Sequence, residues 1–383
     1  LTGSEQSPSL LTIILDTNPG AWALLADKIS LSSAVANLLV FINAHLASNY
    51  TNKVAVVASH CNKAQWLYPS PTVQLGRNAL SAKRRSEYGE RDQLSETTKR
   101  LKITGSLHAS PNGSKLKDAK KTSSHSSSNK YRPFRLVEEE LLLNLSTLLN
   151  ATLPEDVSGT TSTKIAGALT LALSYINRET IAYAESTNGP AGNDATPQTN
   201  PDSAQQSQGT LQSRIFILTV SPTSDLAHQY IPIMNTIFAC QRLSIPIDIC
   251  QIPIPTITTD PSSTTTTVFL QQASDATHGI YILIPMPSKP GSPPPSLLTY
   301  LMTAFLPSPS SRTHLILPTS ISVDFRAACF CHRNIVDIGF VCSICLSIFC
   351  SVPENGDCLT CGTHLSLGDY GGAPVVVAKK KQK

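Results

Sequence analysis

Apolar residues in this chain fall into two patterns, short unbroken runs and stripes at helical spacing, and the two alternate along its length. Residues 10–17 (LLTIILDT) stay apolar until Asp16, the pattern of a strand buried on both faces of a sheet. Val35, Leu38, Leu39, Ile42 and Leu46 follow with helical periodicity, and residues 53–59 (KVAVVAS) form a second strand-sized run. Residues 64–68 (AQWLY) sit close enough to fold back across Asn62 and Lys63 as an antiparallel edge strand. Two amphipathic helices are then predicted, one on Phe134, Val137, Leu141, Leu145 and Leu148, the next on Ile165, Leu169, Ala172, Leu173 and Ile176.

The alternation continues with a strand at 213–220 and a helix carrying Tyr230, Ile233, Ile237 and Phe238. A proline-interrupted strand at 245–254, a helix at 268–276, a strand at 279–284 and a helix on Leu297, Leu298, Leu301 and Phe305 complete it. Strands alternating with helices predict an α/β fold with a doubly wound, mostly parallel sheet, whose ligands sit at the carboxyl ends of its strands.

Two stretches break the pattern and are expected as disordered insertions, at 75–130 and 187–210. From Lys83 to Lys130 there are twelve Lys and Arg against five Asp and Glu, among Ser, Asn and Gly, which cannot pack a core. Residues 187–210 are polar and nearly uncharged. The expected organisation is a sheet domain over 8–310 with these insertions, ending in a Pro- and Ser-rich stretch at 289–311, then a linker at 311–328, a cysteine module at 329–370 and a basic tail at 371–383. The 383 residues, 41% hydrophobic, suffice for a sizeable core, and no run of eighteen consecutive apolar residues suggests a membrane span. A soluble protein is expected. The net charge of +4 is mild but unevenly placed. Basic disorder can touch phosphate, so direct nucleic-acid contact stays open, although a solvated loop explains it as simply. Aromatic residues are only 6% and do not interleave with the basic stretches, which argues against a base-stacking platform.

Candidate chemistry is sparse outside the cysteines. No glycine-rich phosphate motif and no G-x-S-x-G elbow occurs, so neither a cofactor-binding nor a catalytic residue is assigned. Cys61, Cys240 and Cys250 lie on apolar elements and read as core packing, while His45 and His60 have no sequence neighbour to form a catalytic pair. Asp16 and Asn18, at the end of the first strand, admit two readings, a weak divalent-cation site or a capped turn.

Seven of the ten cysteines lie between Cys329 and Cys361. Cys342, Cys345, Cys358 and Cys361 form C-x2-C-x12-C-x2-C, two pairs able to converge tetrahedrally on one Zn2+ with no position left for water. Such a closed site builds structure, and its thiolates point to a reducing compartment. Cys329, Cys331 and Cys350 remain. They allow either a second, depleted zinc site completed by His332 or His364, as in a reduced cross-brace, or buried packing around the first ion. Val341, Ile344, Leu346, Ile348 and Phe349 exceed what one small module can bury and suggest a docking surface.

Taken together, the acid-ended first strand, the doubly wound pattern and the terminal segment VDFRAACFCHRNIVDIGFVCSICLSIFC followed by CLTCGTHL resemble one family. It is the smaller von Willebrand A-like, zinc-finger subunit, of the 34-kDa class, in the core of the transcription and DNA-repair factor TFIIH. That resemblance implies a nuclear, non-catalytic scaffold binding the larger von Willebrand A and zinc subunit and other core subunits. It further implies support of the complex's helicases in transcription initiation and nucleotide excision repair. Von Willebrand A domains that bind a cation use D-x-S-x-S, whereas Asp16, Asn18 and Gly20 stand here, so the usual ion site is expected to be unused. The rival readings are a RING-like ubiquitin ligase and a von Willebrand A ubiquitin or proteasome adaptor.

Overall fold

The computed structural model describes residues 7–70, 132–158, 162–187, 211–221, 224–254, 268–285, 296–316, 323–352 and 355–364. The insertion expected at 75–130 therefore lies wholly outside the described residues, that at 187–210 does so beyond Thr187, and so does the tail at 371–383. The described residues fall into two compact units, those of 7–65 with those from 147 onward, and 66–70 with 132–146.

The first unit is built on parallel strands β1 (Ser9–Asp16), β2 (Lys53–Ser59), β4 (Gln212–Thr219), β5 (Ile247–Gln251) and β6 (Tyr281–Leu283). Strand β3 (Ala64–Tyr68) begins in this unit, and the sheet order is β3-β2-β1-β4-β5-β6. Only four residues join β2 to β3, too few for a parallel crossover, so β3 is the expected antiparallel edge. Strand β1 is central, and all eight of its residues are buried, as an apolar run covered on both faces requires.

Helices cover the sheet: α1 (Pro19–Leu24), α2 (Leu31–Ser48), α5 (Ile165–Thr187), α6 (Tyr230–Arg242) and α7 (Val268–Ala276), with α3 (Arg132–Asn150) and α4 (Pro154–Ser158) between α2 and α5. Helix α2 starts where Ser30 accepts a hydrogen bond from the Ser33 amide at 3.2 Å, and it buries Val35, Leu38, Phe41 and Ile42. By length and composition it is apolar enough to cross a membrane, but it belongs to the sheet's cover: the Phe41 ring lies 5.4 Å from that of Phe216 on β4. Phe238, counted on the apolar stripe of α6, faces solvent instead, and the burial falls on Ile233, Ile237 and Cys240.

After β6 the expected last helix is short, α8 (Leu297–Tyr300), and passes into a π turn at Leu301–Phe305 before α9 (Pro309–Arg312). A buried charge cluster holds this turn down. Arg312 grips Asp248 of β5 with two hydrogen bonds, 2.8 and 2.6 Å, and Arg214 of β4 donates to the carbonyls of Phe305 and Pro307 at 2.6 and 3.0 Å. Burial lowers the Arg214 pKa to about 10, Asp248 opposing and Arg312 reinforcing the shift, and the guanidinium stays charged at neutral pH.

In the second unit, α3 buries Val137, Leu141 and Leu145 along one stripe. Asn144 donates to the Leu67 carbonyl at 2.8 Å, and the Ser70 amide donates to the Glu140 carboxylate.

Candidate metal centres

The sheet reverses its winding between β1 and β4, and Asp16 stands at the carboxyl end of β1 beside that point, where open α/β sheets place ligands. Here the crevice is closed from within. One carboxylate oxygen of Asp16 accepts from the Asn18 amide at 3.0 Å. The other accepts from the amides of Val220 and Ser221 at 3.0 and 2.8 Å and from the Thr219 hydroxyl at 3.2 Å. Asn18 turns its carbonyl oxygen to the Gly20 amide at 3.1 Å, capping α1. Burial pushes the Asp16 carboxyl pKa up against these donors, which pull it down. Of the two readings left open for Asp16 and Asn18, the geometry favours the capped turn, which ties the β1 and β4 loops together.

The lone cysteines behave as small hydrophobes. Cys61, Cys240 and Cys250 are buried, and burial raises each thiol, that of Cys240 to about 12. His60 is fixed between Thr17 and Thr152, its ring nitrogens 3.0 and 2.9 Å from their hydroxyls. His45 lies 3.2 Å from the Lys53 carbonyl, and burial followed by the Arg214 charge lowers its pKa to about 4.

Among the described residues of the cysteine segment the regular elements are two-residue strands, β7 (Ala327–Ala328), β8 (Ile335–Val336), β9 (Phe340–Val341) and β10 (Ile348–Phe349). What orders it is a pair of backbone knuckles. The Cys342 amide donates to the Ser347 carbonyl at 3.0 Å, and the Leu346 amide, with φ of 59°, donates back to the Cys342 carbonyl at 2.9 Å. Cys358 repeats this with Thr363 at 2.8 Å and with Gly362, φ 70°, at 2.8 Å. Each loop turns its C-x2-C pair to one side. The four sulfurs of Cys342, Cys345, Cys358 and Cys361 consequently lie within 4.8 Å of one another, with Cys342 to Cys361 at 3.8 Å and Cys345 to Cys358 at 3.5 Å. Four sulfurs at about 2.3 Å from a tetrahedral zinc ion stand roughly 3.8 Å apart, so the donor set fits that ion.

Thiol acidity in this set is uneven. The Ser347 hydroxyl, 3.2 Å from Cys345, and the Ser347 amide bring the Cys345 thiol down to about 6, and Thr363 lowers Cys361 in the same way. Burial pushes Cys358 up to about 11. A divalent cation held by these four residues would supply the charge that lets all of them ionise together.

Cys329, Cys331, His332 and Cys350 gather separately, their ligand atoms also within 4.8 Å of one another. The sulfurs of Cys331 and Cys350 are 3.4 Å apart, and His332 Nδ1 is 3.1 Å from Cys350. Of the two histidines left open by the sequence, His332 joins this group, while His364 pairs with Asp357 at 2.9 Å. Phe349, expected as spare surface, is buried with Cys342 and Cys358 as the core of the module. Val341, Ile344, Leu346 and Leu359 remain exposed.

The module and the linker residues just before it also rest on the sheet helices through contacts that no sequence pattern marks. Gln272 of α7 donates to the carbonyls of Asp324 and Arg326 at 2.7 and 3.0 Å, and the Phe330 ring lies 6.5 Å from Tyr230 of α6, edge on at 69°. A buried amide and two aromatic rings look like ordinary core from sequence alone.

Comparison with known proteins places these features together. The family model "Transcription factor Tfb4" matches residues 8–362. The chain is similar to the "General transcription and DNA repair factor IIH subunit TFB4" of Yarrowia lipolytica, 35% identical over 99% of this chain and 93% of that protein. It is also similar to the Schizosaccharomyces pombe protein of the same description, 35% identical over 95% of this chain and 91% of the relative. Among solved structures, "Crystal Structure of the TFIIH p34 N-terminal Domain" is matched with a TM-score of 0.50 at 33% identity, covering 78% of this chain and 97% of that one.

Proposed function

The chain belongs to the transcription factor Tfb4 family, and from that premise we propose that it acts as a structural subunit of the general transcription and DNA repair factor IIH. The observation that carries this reading is the breadth of the match. It runs from the first strand through the last cysteine pair and covers more than nine-tenths of the Yarrowia and Schizosaccharomyces relatives. The role is non-catalytic scaffolding in the nucleus. The partners are the larger von Willebrand A and zinc-containing subunit and other core subunits, and the outcome is support of helicase work in transcription initiation and excision repair. The inward-satisfied Asp16 supports recognition through surfaces, since its carboxylate is spent on Asn18, Thr219, Val220 and Ser221. Exposed Val341, Ile344, Leu346 and Leu359 supply apolar area for such docking.

Cys342, Cys345, Cys358 and Cys361 hold a structural Zn2+ in this reading, because four thiolates without an open position suit that ion and leave no place for catalysis. The family match favours the complex subunit over a ubiquitin ligase or proteasome adaptor. Affinity purification of the full chain from its own cells, with mass spectrometry of what co-purifies, tests the proposal. Stoichiometric recovery of the factor's other subunits is expected. Recovery without them, together with discharge of ubiquitin from a charged conjugating enzyme, would overturn it.

A further inference from the structure

The two C-x2-C knuckles share a backbone signature, and it occurs a third time where no C-x2-C exists. The Cys329 amide donates to the carbonyl five residues on, Asn334, at 2.9 Å, as Cys342 does to Ser347 and Cys358 to Thr363. Four residues on, Arg333 has φ of 59° and donates to the Cys329 carbonyl at 2.9 Å, matching Leu346 and Gly362. In each knuckle the residue three after the first cysteine is the second ligand, Cys345 and Cys361 in the recognised pairs. At Cys329 that position is His332. A left-handed conformation at an arginine costs strain, as it does at Leu346, and is kept where a turn must aim two donors at one point.

We propose that Cys329, Cys331, His332 and Cys350 hold a second structural divalent ion of the zinc class, with His332 ligating through Nδ1. The donor atoms lie within 4.8 Å of one another, and three thiolates with one imidazole form a closed tetrahedral set. The three thiols release their protons to solvent on binding, and His332 coordinates as the neutral ring. Along the chain the ligands interleave: the Cys329 knuckle serves the second ion, the Cys342 knuckle the first, Cys350 the second and the Cys358 knuckle the first. A fourth pair would need a ligand at position 353, which is proline, and Cys331 supplies the missing donor from inside the Cys329 knuckle. The module is therefore a complete cross-brace with one ligand moved.

The second ion also gives the module its seat. Phe330 lies between two of its ligands, donates its amide to the Ile348 carbonyl at 2.7 Å and sets its ring against Tyr230. Holding Cys329 and Cys331 on one ion fixes the ring between them.

Metal analysis of the full chain, purified under reducing conditions with Zn2+ as the probe, decides the matter. Two ions per chain are expected in the native protein and one in Cys350→Ser. His332→Cys, which keeps four donors, is expected to retain two. In the cobalt-loaded protein His332→Cys should move the d–d absorption of one ion to longer wavelength, as a nitrogen donor is replaced by sulfur. One ion per native chain, a stoichiometry unmoved by Cys350→Ser, or a Cys331–Cys350 disulfide in the intact mass would overturn the proposal. Metal content is read without any partner, so this outcome and that of the co-purification test are independent.

Discussion

The sheet and the cysteine module are ordered by different physics. In the sheet, buried side chains such as Leu11, Ile13, Val56, Phe216 and Ile249 come from segments far apart in sequence, and removing them from water holds the strands in register. In the module the buried core consists of Cys342, Phe349 and Cys358, and its strands are two residues long. So small a core cannot offset the entropy of ordering more than thirty residues at about 1 to 2 kcal/mol each. The lesson is that the sheet should stand without metal and the module should not.

Metal removal is the largest perturbation this comparison predicts. Structural zinc contributes on the order of 10 kcal/mol to folding small modules. Chelation under reducing conditions should open residues 329–364 to protease while the strands of the sheet stay protected. Cys342→Ser and Cys361→Ser should each do the same locally at the first site. If chelation melted the sheet as well, the two regions would form one cooperative unit and the contrast would fall.

The same contrast explains what could be read in advance. Strands β2 and β3 and helix α7 lie where the periodicity places them, because apolar runs and stripes report burial directly. Strand β5 was expected over ten residues and keeps only Ile247–Gln251. Neighbouring β6 offers three pairing residues, and prolines bound the run. The convergence of Cys342, Cys345, Cys358 and Cys361 is legible because identical spacings make identical knuckles. His332 is legible only as one of two alternatives with His364, because a C-x2-H spacing interrupted by Cys331 resembles no pair, and the repeated hydrogen bonds single it out. Nor does sequence show Asp248 between two arginines, since charges 64 residues apart carry no pattern.

That buried cluster provides a perturbation confined to the sheet. Arg312→Ala leaves Asp248 with the Ile280 amide at 3.0 Å and the more distant Arg214 charge at 3.9 Å, and breaking a buried pair from one side costs about 3 to 5 kcal/mol. A lower urea midpoint with unchanged metal content is expected, and loss of metal would contradict the separation. His45 sets a smaller effect through acid. Its folded pKa of about 4 lies below the unfolded 6.5, so the unfolded chain binds the proton first. Stability present above pH 6.5 is lost as pH falls toward 4, by about 3 kcal/mol at most. Amide exchange of β1 would follow it free of the module's own loss of metal, and His45→Gln should flatten the profile.

The smallest effect tests the contact between the regions. An edge-to-face aromatic pair contributes about 0.5 to 1.5 kcal/mol beyond its buried area, and Tyr230 meets Phe330 in that geometry. Phe330→Leu should leave the metal content and the sheet's urea midpoint nearly unchanged, because leucine keeps apolar packing against the Cys342, Phe349 and Cys358 cluster and the sheet's own core is untouched. A double-mutant cycle with Tyr230→Leu, read from exchange of the Phe330-segment amides, should return a coupling near 1 kcal/mol. Coupling of that size means that the module keeps a fixed seat on α6 and presents Ile344, Leu346 and Leu359 in one direction. Zero coupling would leave the Gln272 hydrogen bonds as the tether, and the module would then sample orientations before a partner selects one.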